Sequence, residues 1–435
     1  MNRQVRRNAG PVWVGMLELD DAAPVVAVSG PVRADHRRAR VLIRMHGAPL
    51  GYVSVPVLPE GTLSERLRAA AQARLAQAIA CHTKWDQTAV SPERSPDWAA
   101  RVTCPRHFPA PSGGVSVLVC TRNRPSLLRD CLRTLQRLSF EPFEVLVVDN
   151  APSDSESRAI VTEMARSDLR IRYTCEPRAG KSFALNRGLA EATYEIVATT
   201  DDDALADRGW VSALSAGFAA DPEVVAVTGL VCSSSLETGS ERYFDARYHQ
   251  WGEVLEPRRY DLTDHRHRSG LYPFSAGVFG TGANFAVRRS AAVELGGFDP
   301  LLGAGSPQRG GADLDMFLRI VLAGGRFSCL PSALIWHRHR ADTKALSQQI
   351  YAYGHGLGAY LAKHLKNREL RNAVLRHGLP QARLLAGRIH QASAASDLGI
   401  DSRLFALYEM LGVVPGACRY WIAARRASQS AEGQR

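Results

Sequence analysis

The sequence predicts an α/β protein whose sheet is wound with helices, preceded by a small β-rich region and followed by a helical one. Two observations carry this reading. From Gly114 onward, four short apolar runs are separated by three segments of helical periodicity, the order that builds a parallel sheet. Three of those runs end in polar residues, and the carboxyl ends of such strands are where open α/β sheets bind ligands.

The elements follow in order. "VWVGMLELD" and "RVLIRMHGAPLGYVSVPV" read as short strands around a Gly-Ala-Pro-Leu turn. Residues 62–80 are rich in Ala, Leu and Arg with apolar positions at helical spacing, which predicts one helix. Residues 1–85 are thus expected to form an N-terminal β-rich accessory domain ending in a helix. The Pro-, Ser- and Gly-rich stretch 86–113 is expected to be a linker.

"VSVLVC" begins the sheet, and the helix after Pro125 puts Leu127, Leu128, Cys131, Leu132, Leu135 and Leu138 on one face. "FEVLVVD", "IRYTCE" and "EIVATT" supply further strands, with helices expected over 153–166 and 181–192. Beyond them, "VVAVTGLV" and "GANFAVRR" read as strands separated by a polar insert. "ADLDMFLRIVLAGG" reads as a helix closed by glycines, and "RFSCLPSALIWHRHR" as an extended segment. Together 114–342 form the expected catalytic domain. Residues 343–435 are expected to be helical, with a frayed "SQSAEGQR" end.

Composition bounds the function. The 435 residues are 45% hydrophobic and 22% charged, an ordinary globular balance, with a net charge of +11. That excess suits a phosphorylated ligand, an anionic membrane or a nucleic acid, and equally a solvated Arg-rich surface. The eight cysteines form no C-x-x-C pair, so neither a zinc site nor a disulfide framework is expected, and a reducing compartment fits. The basic N-terminus lacks the apolar core of a signal peptide. The most apolar stretch, 404–424, is interrupted by Glu409, Pro415 and Arg419, so the chain is expected to be cytoplasmic and any membrane contact peripheral, at the inner face.

The chemistry concentrates at strand ends: "TRNRP" after the first, Asp149 and Asn150 after the second, and Asp201, Asp202 and Asp203 after the fourth. Hard carboxylate oxygens suit Mg²⁺ or Mn²⁺, and such an ion would relieve repulsion within the aspartate run while recruiting phosphate oxygens. Arg124, Arg178 and Lys181 are candidate further cations. An exposed acidic turn or helix start would also look this way. In "GGADLDMFLRI", Asp313 and Asp315 project from opposite sides of a helix. Asp315 is expected to form a surface ion pair with Arg319. That leaves Asp313 to face the cleft as a general base or merely to cap the helix. His337 and His339 in "IWHRHR" share one side of a strand.

Taken in order, these pieces resemble family 2 glycosyltransferases of the GT-A fold, a Rossmann-like mixed sheet flanked by helices. "VSVLVCTRNRPSLL", "EVLVVDN", "GKSFALNRGLAEA", "TTDDDA", "GANFAVRR" and the closing Trp-His pair carry the resemblance, which spans about 114–340. It implies a nucleotide-diphosphate-sugar donor and transfer with inversion to an acceptor hydroxyl. It also implies that Asp149 reads the base with Thr121 and Arg124 beside it, and that Asp202 lies near the ribose and diphosphate. Gly180, Lys181 and Asn186 complete the donor site. Asp201, Asp203 and His337 hold Mg²⁺ or Mn²⁺, and Asp313 is the catalytic base. Relatives often carry Glu-Asp where this chain has Ala312-Asp313, which points to an unusual acceptor among glycan, lipid-linked and small-molecule candidates.

The Gly-rich 303–311 loop is expected to close over the donor. Residues 404–426 suit an interfacial helix pair or a packed helical lid. Two other readings compete: a metal-dependent nucleotidyltransferase, disfavoured because "TRNRPSLL" has no glycine, and a non-catalytic basic binding protein. Nucleic acid is not an expected partner.

Overall fold

The computed structural model describes residues 10–20, 24–58, 62–88, 98–111, 113–248, 252, 255–372, 376 and 402–432. At the N-terminus, β1 (Val12–Glu18), β2 (Val26–Ala27), β3 (Arg38–Met45) and β4 (Ala48–Pro56) form a sheet in the order β2-β1-β3-β4. The β3–β4 turn comes one step earlier than expected. Ala48 and Pro49 already pair with Met45 and Arg44, and His46 and Gly47 make the turn at φ 54° and 82°. Two consecutive left-handed residues suit a tight hairpin, and glycine supplies the second without strain.

The single helix expected over 62–80 is two: α1 (Leu63–Arg74), capped by the Thr62 hydroxyl accepting from the Glu65 amide, and α2 (Ala76–Thr88). Leu75 breaks the run and packs over Gly51, where a Cβ would come within 2.6 Å of it. The other face of the sheet does not hang free. Val14 and Leu42 share a core with Leu230, Leu236, Leu334 and Trp336, and Arg44 reaches Asp207 at 2.7 Å.

The expected linker is structured where it is described. It carries the last turn of α2 and then α3 (Trp98–Thr103), whose Trp98 and Val102 are buried in the main core. Positions 89–97 lie outside the described residues.

The large sheet is built from β5 (Val115–Thr121), β6 (Phe143–Asn150), β7 (Ile171–Glu176), β8 (Ile196–Asp201), β9 (Ala204–Ala206), β10 (Val224–Ser233), β11 (Arg258–Tyr260), β12 (Asn284–Arg288) and β13 (Arg326–His337). Its order is β11-β13-β10-β12-β8-β5-β6-β7, with β9 paired to β13. The strands β5 to β8 are parallel, as the sequence order implied, whereas β12 runs antiparallel between β8 and β10.

Helices cover both faces: α4 (Pro125–Leu135), α5 (Glu156–Ala165), α6 (Lys181–Glu191), α7 (Trp210–Ala220), α8 (Gly239–Arg247), α9 (Arg289–Glu294) and α10 (Ala312–Leu322). Alternate β5 residues point to opposite layers. Val117 and Val119 share one core with Leu128, Leu132 and Trp210, while Leu118 belongs to the other with Leu185, Phe285 and Phe317.

α11 (Thr343–His364) and α12 (Ser402–Glu432) close the chain. They approach closely because glycines face backbone: a Cβ on Gly354 would lie 1.8 Å from the Glu409 carbonyl, and one on Gly416 2.0 Å from that of His355. The segment 404–426 is thus one helix running through Pro415, not a pair. The expected frayed end is helical through Glu432, and 433–435 lie outside the described residues. No helix among the described residues is long and apolar enough to cross a membrane.

Candidate active site

Register in the parallel sheet brings the polar strand ends together. Thr121 pairs with Asp149 across β5–β6, and Cys120 with Asp201 across β5–β8. Asp149 is fully buried; its Oδ2 accepts the Tyr173 hydroxyl at 3.0 Å, and its Oδ1 has no partner among the described residues. Burial raises its carboxyl above the ordinary range, and the Tyr173 bond offsets this only in part. An unpaired buried carboxylate oxygen is costly unless a ligand donor meets it.

The three aspartates each have a cationic partner. Lys181 pairs with Asp201. Asp202 accepts the Thr121 hydroxyl at 2.8 Å and Arg124 at 3.2 Å. Burial, and then the neighbouring Asp203 charge, push the Asp202 carboxyl up to about 6. Asp203 meets His337 Nε2 at 3.1 Å, Arg124 at 3.2 Å and Arg340 at 3.6 Å. Burial alone would raise the Asp203 carboxyl, but these cations hold it well below the usual range. For His337 the balance is reversed: burial would lower the imidazole, and Asp203 more than compensates and raises it.

Arg178 does not join this group. It is bound by Glu176 at 2.8 Å, because a guanidinium two residues along the same turn reaches its neighbour first. Arg340, which sequence reasoning missed, takes that place; its only signal was the cationic "HRHR" tail after β13.

Donor atoms of Asp201, Asp203 and His337 all lie within 4.8 Å of one another. His337 Nδ1 is buried without a hydrogen-bond partner among the described residues. Two carboxylates and an imidazole converging at this spacing fit Mn²⁺ or Mg²⁺, with oxygen positions left for a ligand's phosphates.

Asp313 stands in the first turn of α10. Its Oδ2 accepts the Gly282 amide at 2.8 Å, and it lies so close that a Cβ on Gly282 would come within 2.9 Å of that oxygen. Asp315 corrects the expectation of a surface pair. It is fully buried, bound to Arg319 at 2.8 Å, Lys363 at 2.8 Å and His364 at 2.9 Å. The helical spacing was right, but α11 covers that face.

The remaining expected donor residues brace the loop before α10. Both ends of the Asn186 amide bond the Phe298 backbone, at 2.8 and 2.7 Å, so Asn186 ties α6 to the segment before the Gly-rich loop. Gly180, at φ 138°, gives its amide to Asn150, and the Lys181 amide donates to the Ala304 carbonyl at 2.8 Å. The Gly-rich loop is therefore anchored along its length, with Gly303 also bonded to Gly310.

The mixed α/β sheet flanked by helices, with its parallel strands ending in Thr121, Asp149 and the aspartate run, has the arrangement expected from the resemblance to the GT-A fold. Residues 116–296 match the glycosyl transferase family 2 profile.

Among curated proteins the chain is similar to the pre-mycofactocin glycosyltransferase of Mycobacterium tuberculosis, 29% identical over 266 residues, which are 61% of this chain and 51% of that protein. It is also similar to the poly-beta-1,6-N-acetyl-D-glucosamine synthase of Staphylococcus aureus, 28% identical over 116 residues, which are 27% of this chain and 28% of that one. The chain thus spans about half the length, or less, of these relatives. A solved mannosyltransferase from Pyrobaculum calidifontis, in complex with GDP-Man and Mn²⁺, aligns over 81% of this chain and 97% of its own, with 20% identity and a TM-score of 0.48.

Proposed function

We propose that the protein transfers a sugar from a nucleotide-diphosphate sugar to an acceptor hydroxyl with inversion, assisted by Mn²⁺ or Mg²⁺. The observation that carries this reading is the convergence of Asp201, Asp203 and His337 on one point of the cleft. A divalent ion held there would stabilise the charge developing on the leaving diphosphate. Asp149, whose Oδ1 has no partner among the described residues, accepts an N–H of the base; Thr121 and Arg124 hold Asp202 in place beside it. Lys181 adds a half-buried cation, paired with Asp201 and facing the Asp313 charge. Asp313 takes the proton of the acceptor hydroxyl, its carboxylate fixed by the Gly282 amide.

A thermal-shift screen of nucleoside diphosphates and nucleotide sugars, with and without Mn²⁺, tests this. A base-selective, metal-dependent rise in Tm is expected. Absence of any metal-dependent hit would reject the reading.

The acceptor belongs to the glycan, lipid-linked or small-molecule classes. Cytoplasmic location with peripheral contact at an inner membrane face is part of the proposal. It is supported by the exposed Leu407, Met410, Leu411, Val414, Trp421 and Ile422 of α12, with Arg419 and Arg425 beside them. Co-sedimentation with anionic but not zwitterionic vesicles is the expected outcome; equal recovery with both would remove the electrostatic part of this contact.

A further inference from the structure

Five side chains with metal-binding chemistry meet where the N-terminal sheet, α2 and the segment after α3 come together. His46 sits in the β3–β4 turn. His82 and Asp86 are four residues apart on α2 and so share a face. Cys104 and His107 bracket the short turn of Pro105–His107.

The separations are those of ligands around an ion. His46 Nδ1 is 3.6 Å from Cys104 Sγ and 3.6 Å from Asp86 Oδ1, and Cys104 Sγ is 3.7 Å from Asp86 Oδ1. A tetrahedral zinc ion, with Zn–S near 2.3 Å and Zn–N or Zn–O near 2.0–2.1 Å, spaces its donors by roughly 3.3–3.6 Å. The near-equilateral triangle matches that to within a few tenths of an ångström.

A second observation comes from His82. It is only 4% exposed, yet its Nε2 has no hydrogen-bond partner among the described residues. One ligand atom each of His82, His46 and Cys104 lie within 4.8 Å of one another. A buried imidazole nitrogen without a partner, beside a buried thiol and a second imidazole, is a ligand in waiting.

Outer contacts complete the pattern. Asp20 Oδ2 lies 3.5 Å from His46 Nε2, the ring nitrogen facing away from the triangle, and His107 Nε2 lies 2.8 Å from Asp86 Oδ1. Metal-bound histidines commonly pass their other nitrogen to a carboxylate in this way, and ligating carboxylates are themselves hydrogen-bonded.

We propose that His46, His82, Asp86 and Cys104 bind one zinc ion, with Asp20 and His107 orienting the ligands. A thiolate and two imidazoles select a softer ion than the carboxylate-rich catalytic cluster does. Four protein ligands close the shell, so the role is structural. The ion clips the β3–β4 turn and α2 to the segment that follows α3, whose Trp98 and Val102 are buried in the main core. The absence of a C-x-x-C pair argued against zinc, but these ligands come from three distant segments, and only His-x₃-Asp and Cys-x₂-His are visible as local spacings.

The test uses the full chain stripped of metal and titrated with Co²⁺, whose spectrum reports geometry and sulfur ligation. One equivalent should give intense tetrahedral visible bands and a thiolate charge-transfer band, both abolished by stoichiometric Zn²⁺. Cys104→Ser should lose the charge-transfer band, and Asp203→Ala should keep it. A weak octahedral spectrum in the wild-type chain would overturn the proposal without reference to any variant's folding. So would a thiolate band that survives in Cys104→Ser.

Discussion

His337 Nε2 lies 3.1 Å from Asp203 Oδ1, while the other ring nitrogen of His337 is buried and has no hydrogen-bond partner among the described residues. The pair sits at the end of β13 against the aspartate run, so Asp203 is shared by an imidazole and the guanidinium groups of Arg124 and Arg340. Removing it takes away the carboxylate that organises the cluster. Asp203→Ala should therefore bind a nucleoside diphosphate no better with Mn²⁺ than without it. Calorimetric titration in both conditions checks this, and an unchanged Mn²⁺ increment would take Asp203 out of the metal site.

The second prediction concerns the unpaired Oδ1 of Asp149. If it accepts a base N–H, Asp149→Ala should weaken nucleoside diphosphate by about 1.5–3 kcal/mol, the worth of one hydrogen bond to a charged group. Pyrophosphate, which has no base, should lose little. Using the ratio of the two affinities cancels any general loss of fold, such as that from freeing the Tyr173 hydroxyl. Equal losses would place Asp149 outside the nucleoside pocket.

The third prediction is a pH dependence. Burial alone would raise the Asp315 carboxyl. The His364 hydrogen bond and the charges of Arg319 and Lys363 outweigh it and hold the group at about 2, below its ordinary 3.8. A depressed carboxyl stabilises the fold above the unfolded value, and that contribution is lost as pH falls from about 4 to about 2. The shift corresponds to roughly 2 kcal/mol. Asp315→Asn should lose about 3 kcal/mol at pH 7, because it leaves the half-buried Arg319 and Lys363 without their fully buried counter-charge. Its stability should also fall less steeply than wild type between pH 4 and pH 2. Denaturant midpoints across that range decide the matter, and parallel curves for the two proteins would refute the coupling.

These residues also show what the sequence discloses. The strand-end aspartates were legible because a buried apolar run announces its own end, and β5 to β8 are parallel in the way their order implied. Asp315 was not legible: its partners Lys363 and His364 arrive on α11, and His364 is 49 residues away. Spacing gave the Arg319 pair but could not say that another helix covers it. Asn186 lies in the middle of α6, and its amide bonds the Phe298 backbone, a contact 112 residues distant. The break at Leu75 was hidden for the same reason, since helix propensity is continuous there and packing over Gly51 decides.

The last prediction separates an acid–base role for Asp313 from a helix-start role. Asn is nearly the same size, and its carbonyl oxygen can still accept the Gly282 amide that Asp313 accepts at 2.8 Å. Asp313→Asn should therefore keep the fold. It cannot take a proton at neutral pH, so sugar transfer should fall by roughly 10²–10⁴-fold. Donor affinity should stay near wild type, because Asp149, Asp201 and Asp203 on the strand ends are proposed to bind nucleotide and metal. Asp315→Asn, two residues on, cannot serve as a silent control, since that carboxylate is fully buried and bound to Arg319, Lys363 and His364. Glu294→Gln is a better reference: it ends α9, far along the chain from every residue assigned to the cleft. The measurement is initial-rate transfer to an acceptor, paired with donor titration and a thermal melt for each variant. Near-normal transfer in Asp313→Asn, with the melt unchanged, would leave Asp313 as a carboxylate that only anchors Gly282 and the start of α10.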